Sequence, residues 1–148
     1  METSSDADLL YLLIRQTLKR KKAGFEPDQQ VISRLLEALL KRGKGRFLIA
    51  KDQNKVVGGI CFAWDDKYTY YIIGGQESLK GKPSPHSILM HMAIKESLES
   101  GRSFDFCGSM MPGVARFFSS FGPEVQPFLQ VSKYSGRGRI KKIRDAIT

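Results

Sequence analysis

The apolar residues of this chain change period several times, and each change marks an element. Leu9, Leu10, Leu12, Leu13 and Leu18 recur at helical spacing, which predicts an amphipathic helix from Leu9 to near Gly24. Its end is basic (Lys19, Arg20, Lys21, Lys22), a charge that suits the negative end of a helix dipole. A second helix is predicted from Glu26-Pro27-Asp28, with proline in its first turn. It carries the stripe Ile32, Leu35, Leu36, Leu39 and Leu40 and stops at Gly43 and Gly45. The pattern then becomes that of strands. Phe47 to Ala50, Val56 to Trp64 and Tyr68 to Ile73 read as three strands, joined by turns at Asp52-Gln53-Asn54-Lys55 and Asp65-Asp66-Lys67. Gly58-Gly59 inside the second strand points to a bulge or a close backbone approach.

A loop from Gly74 to Pro83 leads into a third helix, with Ser84 as N-cap and Pro85 at its first position. Ile88, Leu89, Met92, Ala93, Ile94 and Leu98 are its expected apolar side, and Gly101 closes it. Phe104, Phe106 and Cys107 then form an apolar strand ending at Gly108. Pro112 and Gly113 open a helix carrying Val114, Phe117, Phe118 and Phe121, and Gly122-Pro123 ends it. Val125 to Val131 extends again. The order is ααβββαβαβ, with no strand before the first helix. It predicts an α/β protein of the α+β mixed-sheet kind, a mixed sheet covered by helices. Residues 1–8 read as a disordered start, 9–133 as one domain and 134–148 as a basic tail.

Composition narrows the class. The length of 148 residues fits one domain with a full core. No apolar run approaches the roughly 20 residues that cross a bilayer. Cys61 and Cys107 both lie in apolar strand-like runs, which predicts two buried thiols, a reducing compartment and a cytoplasmic location. No His/Cys cluster has zinc spacing, so no metal site is expected. The net charge of +9 is uneven. Residues 1–50 hold ten Lys/Arg against six Asp/Glu, 51–132 eight against eight, and 133–148 six against one. Both basic ends would attract phosphates; a solvated face and a plain basic tail account for the same charges.

The segment Phe104-Asp105-Phe106-Cys107-Gly108-Ser109, followed by Gly113, Phe117, Ser120-Phe121-Gly122 and Pro123, resembles the C-terminal half of Fem-type aminoacyltransferases and their GNAT-fold relatives. The element order is similar to the GNAT core. The resemblance implies a single, C-terminal-type GNAT unit and an N-acyltransferase activity. An acyl or aminoacyl group would move from acyl-CoA or aminoacyl-tRNA to a small amine or peptidoglycan precursor. It implies no tightly bound cofactor, acetyl-CoA or another acyl-CoA as donor substrate, tRNA as a further partner, and a homodimer in place of a missing first unit. The other readings are a non-catalytic CoA- or RNA-binding module, and the inactive half of a two-unit transferase.

Three regions are candidate sites. The loop and helix start that include Gly74, Gly75, Lys80, Gly81, Lys82, Ser84, His86 and Ser87 present backbone N–H groups, cations and side-chain donors suited to an anion, or form an ordinary capped helix. In GNAT enzymes this position holds the CoA pyrophosphate, although their usual glycine signature is absent here. Asp105, with Gly108 and Ser109, could hold an amine or simply cap a turn. Arg116 and Phe117 lie where the resemblance places acyl transfer, but Phe118 stands where relatives carry a lysine or a tyrosine. Glu77 is a candidate general base and Tyr71 a candidate hydroxyl donor. A backbone N–H near Ile73 and Gly74 is the expected polariser of the acyl carbonyl.

Overall fold

The computed structural model describes residues 2–24, 26–79, 81–109 and 111–127. Among them five strands form one sheet in the order β1-β2-β3-β4-β5. They are β1 (Glu2–Ser4), β2 (Gly45–Asp52), β3 (Lys55–Trp64), β4 (Tyr68–Gln76) and β5 (Ser103–Asp105). The first four pair antiparallel, and β5 lies parallel to β4. Among the described residues four helices cover the sheet: α1 (Ala7–Arg20), α2 (Gln29–Lys41), α3 (Pro85–Glu99) and α4 (Pro112–Ser119). The mixed α/β architecture is the one expected.

Strand alternation divides the core in two. Phe47, Ile49 and Cys61 face α1 and α2, where Leu10, Leu13, Ile14, Ile32 and Leu36 meet them. Leu48, Ala50, Ile60 and Phe62 point the other way, onto Leu89, Met90 and Ala93 of α3 and Phe118 of α4. A sheet buried on both faces explains why β2 and β3 read as nearly continuous apolar runs. The turn between them has Gln53 and Asn54 both at positive φ (48° and 68°), the backbone that a two-residue hairpin requires. Asp65 Oδ1 closes the next turn by accepting from the N–H groups of Lys67 and Tyr68, each at 2.7 Å.

Several expectations need correction. A strand does precede the first helix: residues 2–4 pair with Phe47–Ile49. Asp6 then caps α1, its Oδ1 accepting from Leu9 N at 3.0 Å. Proline is not in the first turn of α2, because Asp28 is the N-cap and Pro27 precedes it. In α3 the buried residues are Pro85, Leu89, Met90, Ala93 and Ser97, whereas Ile88, Met92 and Leu98 are exposed. Two contacts fix that rotation. Pro85 presses on Gly58, where an added Cβ would lie 2.8 Å from the proline Cβ, and buried Ser97 donates its hydroxyl to Arg102 O. Cys107 lies beyond β5 at φ 58° and is exposed, so only Cys61 is a buried thiol. Residues 125–127 are not strand, and the rest of the expected last strand and the basic tail lie outside the described residues.

Candidate functional site

β4 is longer than its apolar pattern suggested, and its course makes the site. Opposite β3, the register runs Cys61↔Ile73 and then Phe62↔Tyr71, so Ile72 is an extra, unpaired residue. Such a bulge reverses the alternation. Tyr71 accordingly packs with the α3 cluster and Ile73 with the α1/α2 cluster, although they are two residues apart. β5 pairs with β4 only at Tyr68, Thr69 and Tyr70. Beyond Tyr70, β4 continues to Gln76 while β5 ends at Asp105, and among the described residues a gap opens beside the bulged stretch.

Backbone groups line this gap. Glu77 N donates to Val57 O at 2.8 Å, so Gln76 and Gly74 occupy non-hydrogen-bonded positions toward β3. Their N–H and C=O groups therefore turn to the open side. Those of Gln76 are engaged: its N–H donates to Thr17 Oγ1 at 2.8 Å, and its carbonyl accepts from Thr17 Oγ1 at 3.1 Å and Arg20 Nη1 at 2.7 Å. The last turn of α1 is thus bound to the end of β4. Gly74 remains as the backbone group facing the gap.

The expected loop glycines, Gly74 and Gly75, are strand residues, and both are required by packing. A Cβ on Gly75 would lie 2.2 Å from the carbonyl carbon of Leu13, and one on Gly74 would lie 2.7 Å from Gly59 O and 2.8 Å from His86 Cε1. The loop is therefore shorter than expected, and Lys80 lies outside its described residues. Gly81 has φ +71° and open space around it. Lys82 pairs with Asp52 at 2.5 Å and Glu77 with Lys55 at 2.9 Å, both at the β2–β3 hairpin end. Ser84 caps α3 as expected, accepting from Ser87 N at 3.4 Å. Gln76 Oε1 accepts from Ser84 Oγ and His86 N, each at 2.8 Å, so an amide oxygen already sits on this helix start.

His86 lies over the α3 face of the sheet at Gly74. Its ring makes edge contacts with Tyr71 (5.7 Å between centroids) and Phe117 (5.5 Å). Tyr71 in turn meets Phe118 at 5.7 Å. Burial, and secondarily the charge of Lys21, lowers the His86 pKa to about 4. Burial likewise raises the Tyr71 phenol. Phe118 is 7% exposed and belongs to the core.

The second candidate region forms its own turn. Asp105 Oδ1 accepts from Cys107 N at 2.6 Å, and Cys107 and Gly108 both have positive φ. Ser109 Oγ accepts from Met111 N at 3.1 Å, leading into α4. Arg116 is exposed on α4, on a different side from Phe118. Among the named residues, then, Tyr71, Gly74, His86 and Phe117 come together, while Asp105, Glu77 and Lys82 are engaged elsewhere. Thr17, Arg20, Lys21 and Gln76 were missed. Their contacts span more than fifty positions of sequence, and the basic run ending the first helix was their one visible signal.

The acetyltransferase (GNAT) domain family matches residues 1–119. Similar solved structures include a possible acetyltransferase from Clostridium difficile 630, at TM-score 0.70 and 12% identity over 90% of this chain and 95% of that one. A predicted acetyltransferase with acetyl-CoA from Clostridium acetobutylicum superposes at TM-score 0.63 and 15% identity over 88% and 94%. An aminoglycoside acetyltransferase from an uncultured soil metagenomic sample, in complex with sisomicin, superposes at 0.60 and 16% over 90% and 93%. A search of curated proteins found no match.

Proposed function

The chain belongs to the GNAT acetyltransferase domain family, and on that premise we propose that it transfers an acetyl group from acetyl-CoA to an amine. The observation that carries this reading is the parting of β4 from β5 after Tyr70, next to the bulge at Ile72. A donor laid in that gap meets the outward backbone groups of β4. The amine attacks the thioester carbonyl, a C–N bond forms, the C–S bond breaks and CoA leaves as the thiol. An N–H of the Ile72–Gly74 stretch then bonds the carbonyl oxygen as it gains charge. Fixed donors of this kind act strongly in a site with little water, because they need no reorganisation. Positioning supplies the rest, by holding the two reactants within attack distance.

The acetyl-CoA bound to one similar protein and the sisomicin bound to another support the donor and the acceptor class. The Fem-type reading is narrower and rests on the Phe104–Pro123 motif alone. That reading brings an aminoacyl-tRNA donor, a peptidoglycan-precursor acceptor and a homodimer. Phe118, buried where relatives carry a lysine, supplies no cation for it.

The test is release of free thiol from acetyl-CoA on addition of primary amines, with sisomicin among them, beside a thermal-shift titration with acetyl-CoA. Saturable stabilisation together with amine-dependent thiol release supports the reading. Stabilisation without any release makes the chain a CoA-binding module. Neither effect up to millimolar acetyl-CoA overturns the proposal.

A further inference from the structure

We propose that His86 carries the proton of the transfer: its imidazole takes the proton released by the attacking amine and gives it to the departing sulfur. This rests on the acetyl-transfer reading above.

The placement comes first. His86 is in the first turn of α3, held by its own N–H on Gln76 Oε1 at 2.8 Å. Its ring lies between the free stretch of β4 and the phenylalanines of α4, within contact of Tyr71 and Phe117. It can approach the strand so closely only because residue 74 is glycine, where a Cβ would lie 2.8 Å from His86 Cε1. The imidazole therefore borders the same backbone that would hold the acyl carbonyl.

The ring is also chemically available. Polar atoms shut away from water are almost always hydrogen-bonded, and here no wholly buried side-chain nitrogen or oxygen lacks a partner among the described residues. Among the described residues neither ring nitrogen of His86 is held in a hydrogen bond, so the ring has no described partner to compete with a substrate. No other described group there is suited to the task. Asp105 accepts from Cys107 N, and Glu77 pairs with Lys55. Burial raises the Tyr71 phenol pKa, which holds it protonated and neutral, so it is no proton acceptor at neutral pH and a weaker acid than a free phenol. Phe117 and Phe118 have no proton to give.

The groups facing His86 set its charge. From β4 it meets Tyr71, from α4 the uncharged Phe117 ring, and from the end of α1 the charge of Lys21. Burial and Lys21 both disfavour imidazolium, as does the positive end of the α3 dipole. The ring is thus uncharged at neutral pH, with a lone pair to accept a proton but as a weaker base than a free imidazole. Once protonated in this setting, it readily gives the proton up to the thiolate. The balance closes: one proton leaves nitrogen as the C–N bond forms, and the same proton reaches sulfur as the C–S bond breaks.

With two histidines in the chain, ring-nitrogen NMR resolves His86 against His91. Acetyl-CoA should move the His86 signals and leave those of His91. His86→Ala and His86→Gln should keep the thermal shift with acetyl-CoA but lose about 100-fold or more in turnover, the usual weight of a proton-transfer group. Turnover is read both as hydrolysis and as transfer to sisomicin. Added free imidazole should restore part of the rate to His86→Ala, which a merely structural histidine would not allow. Acetyl-CoA that binds without moving the His86 signals overturns the proposal and leaves the donor reading standing, as do variants within about threefold of the parent rate. Absence of acetyl-CoA binding to the parent protein fells the donor reading, and this proposal with it.

Discussion

At the residue scale, the energetics of His86 can be tested apart from any activity. Its folded-state pKa of about 4 lies below the ordinary value of 6.5. Between those values the unfolded chain binds the extra proton and the folded one does not. The contribution is therefore fully present above about pH 6.5 and is lost as pH falls toward 4. Each tenfold difference in proton affinity between the two states is worth about 1.4 kcal/mol, so the loss at pH 4 is roughly 3 kcal/mol. Urea unfolding at a series of pH values should show that slope, and His86→Phe should flatten it by the same amount. An equal slope in both proteins would mean that the ring is not buried as described. Phe118 poses the opposite case. At 7% exposure it packs with Tyr71, Phe106 and Phe117. Phe118→Lys places a charge in that cluster and should lower stability by several kcal/mol without creating aminoacyl transfer. A stable variant that transfers an aminoacyl group would return the Fem-type reading to first place.

At the element scale, two contacts hold the end of β4 against α1. Gly75 lets the backbone of α1 rest directly on the strand, and Thr17 with Arg20 takes up the outward groups of Gln76. Gly75→Ala sets a methyl 2.2 Å from the Leu13 carbonyl, a clash with backbone that no rotamer can relieve. Thermal unfolding should show a loss of several kcal/mol, as for other changes that overpack a core. A parent-like transition would mean that α1 does not rest there. The elements themselves were largely legible in the sequence, because periodicity and caps are local. Ser84-Pro85 opened α3 and Gly122 closed α4 as their residue types dictate. The bulge was not legible. Tyr71, Ile72 and Ile73 are all good strand residues, and only the pairing with β3 reveals which of them is extra. Gly74 and Gly75 read as loop because glycine usually punctuates, whereas here it admits a helix backbone and an imidazole. Cys107 misled for the same local reason, since an apolar run ending in glycine does not disclose where pairing stops.

At the scale of the whole molecule, the sheet buries both faces, and among the described residues no strand pairs with β4 on its β5 side beyond Tyr70. On one side α1 holds the end of β4 in place, and on the other α3 and α4 carry the imidazole and the aromatic rings beside it. Two surface hollows lie elsewhere, along α1 and its connection to α2, one lined by residues such as Tyr11, Asp28 and Arg34 and the other by Arg15 and Lys19. Those hollows and the β4–β5 gap make different predictions about where a donor binds. The most direct test is a map of backbone amide NMR shifts during titration with acetyl-CoA. The largest changes are predicted at Ile72, Ile73 and Gly74 and in the first turn of α3, at His86 and Ser87, with Tyr11 and Arg34 unmoved. Changes confined to the α1–α2 hollows, or none at saturating acetyl-CoA, would contradict the assignment of the gap as the donor site.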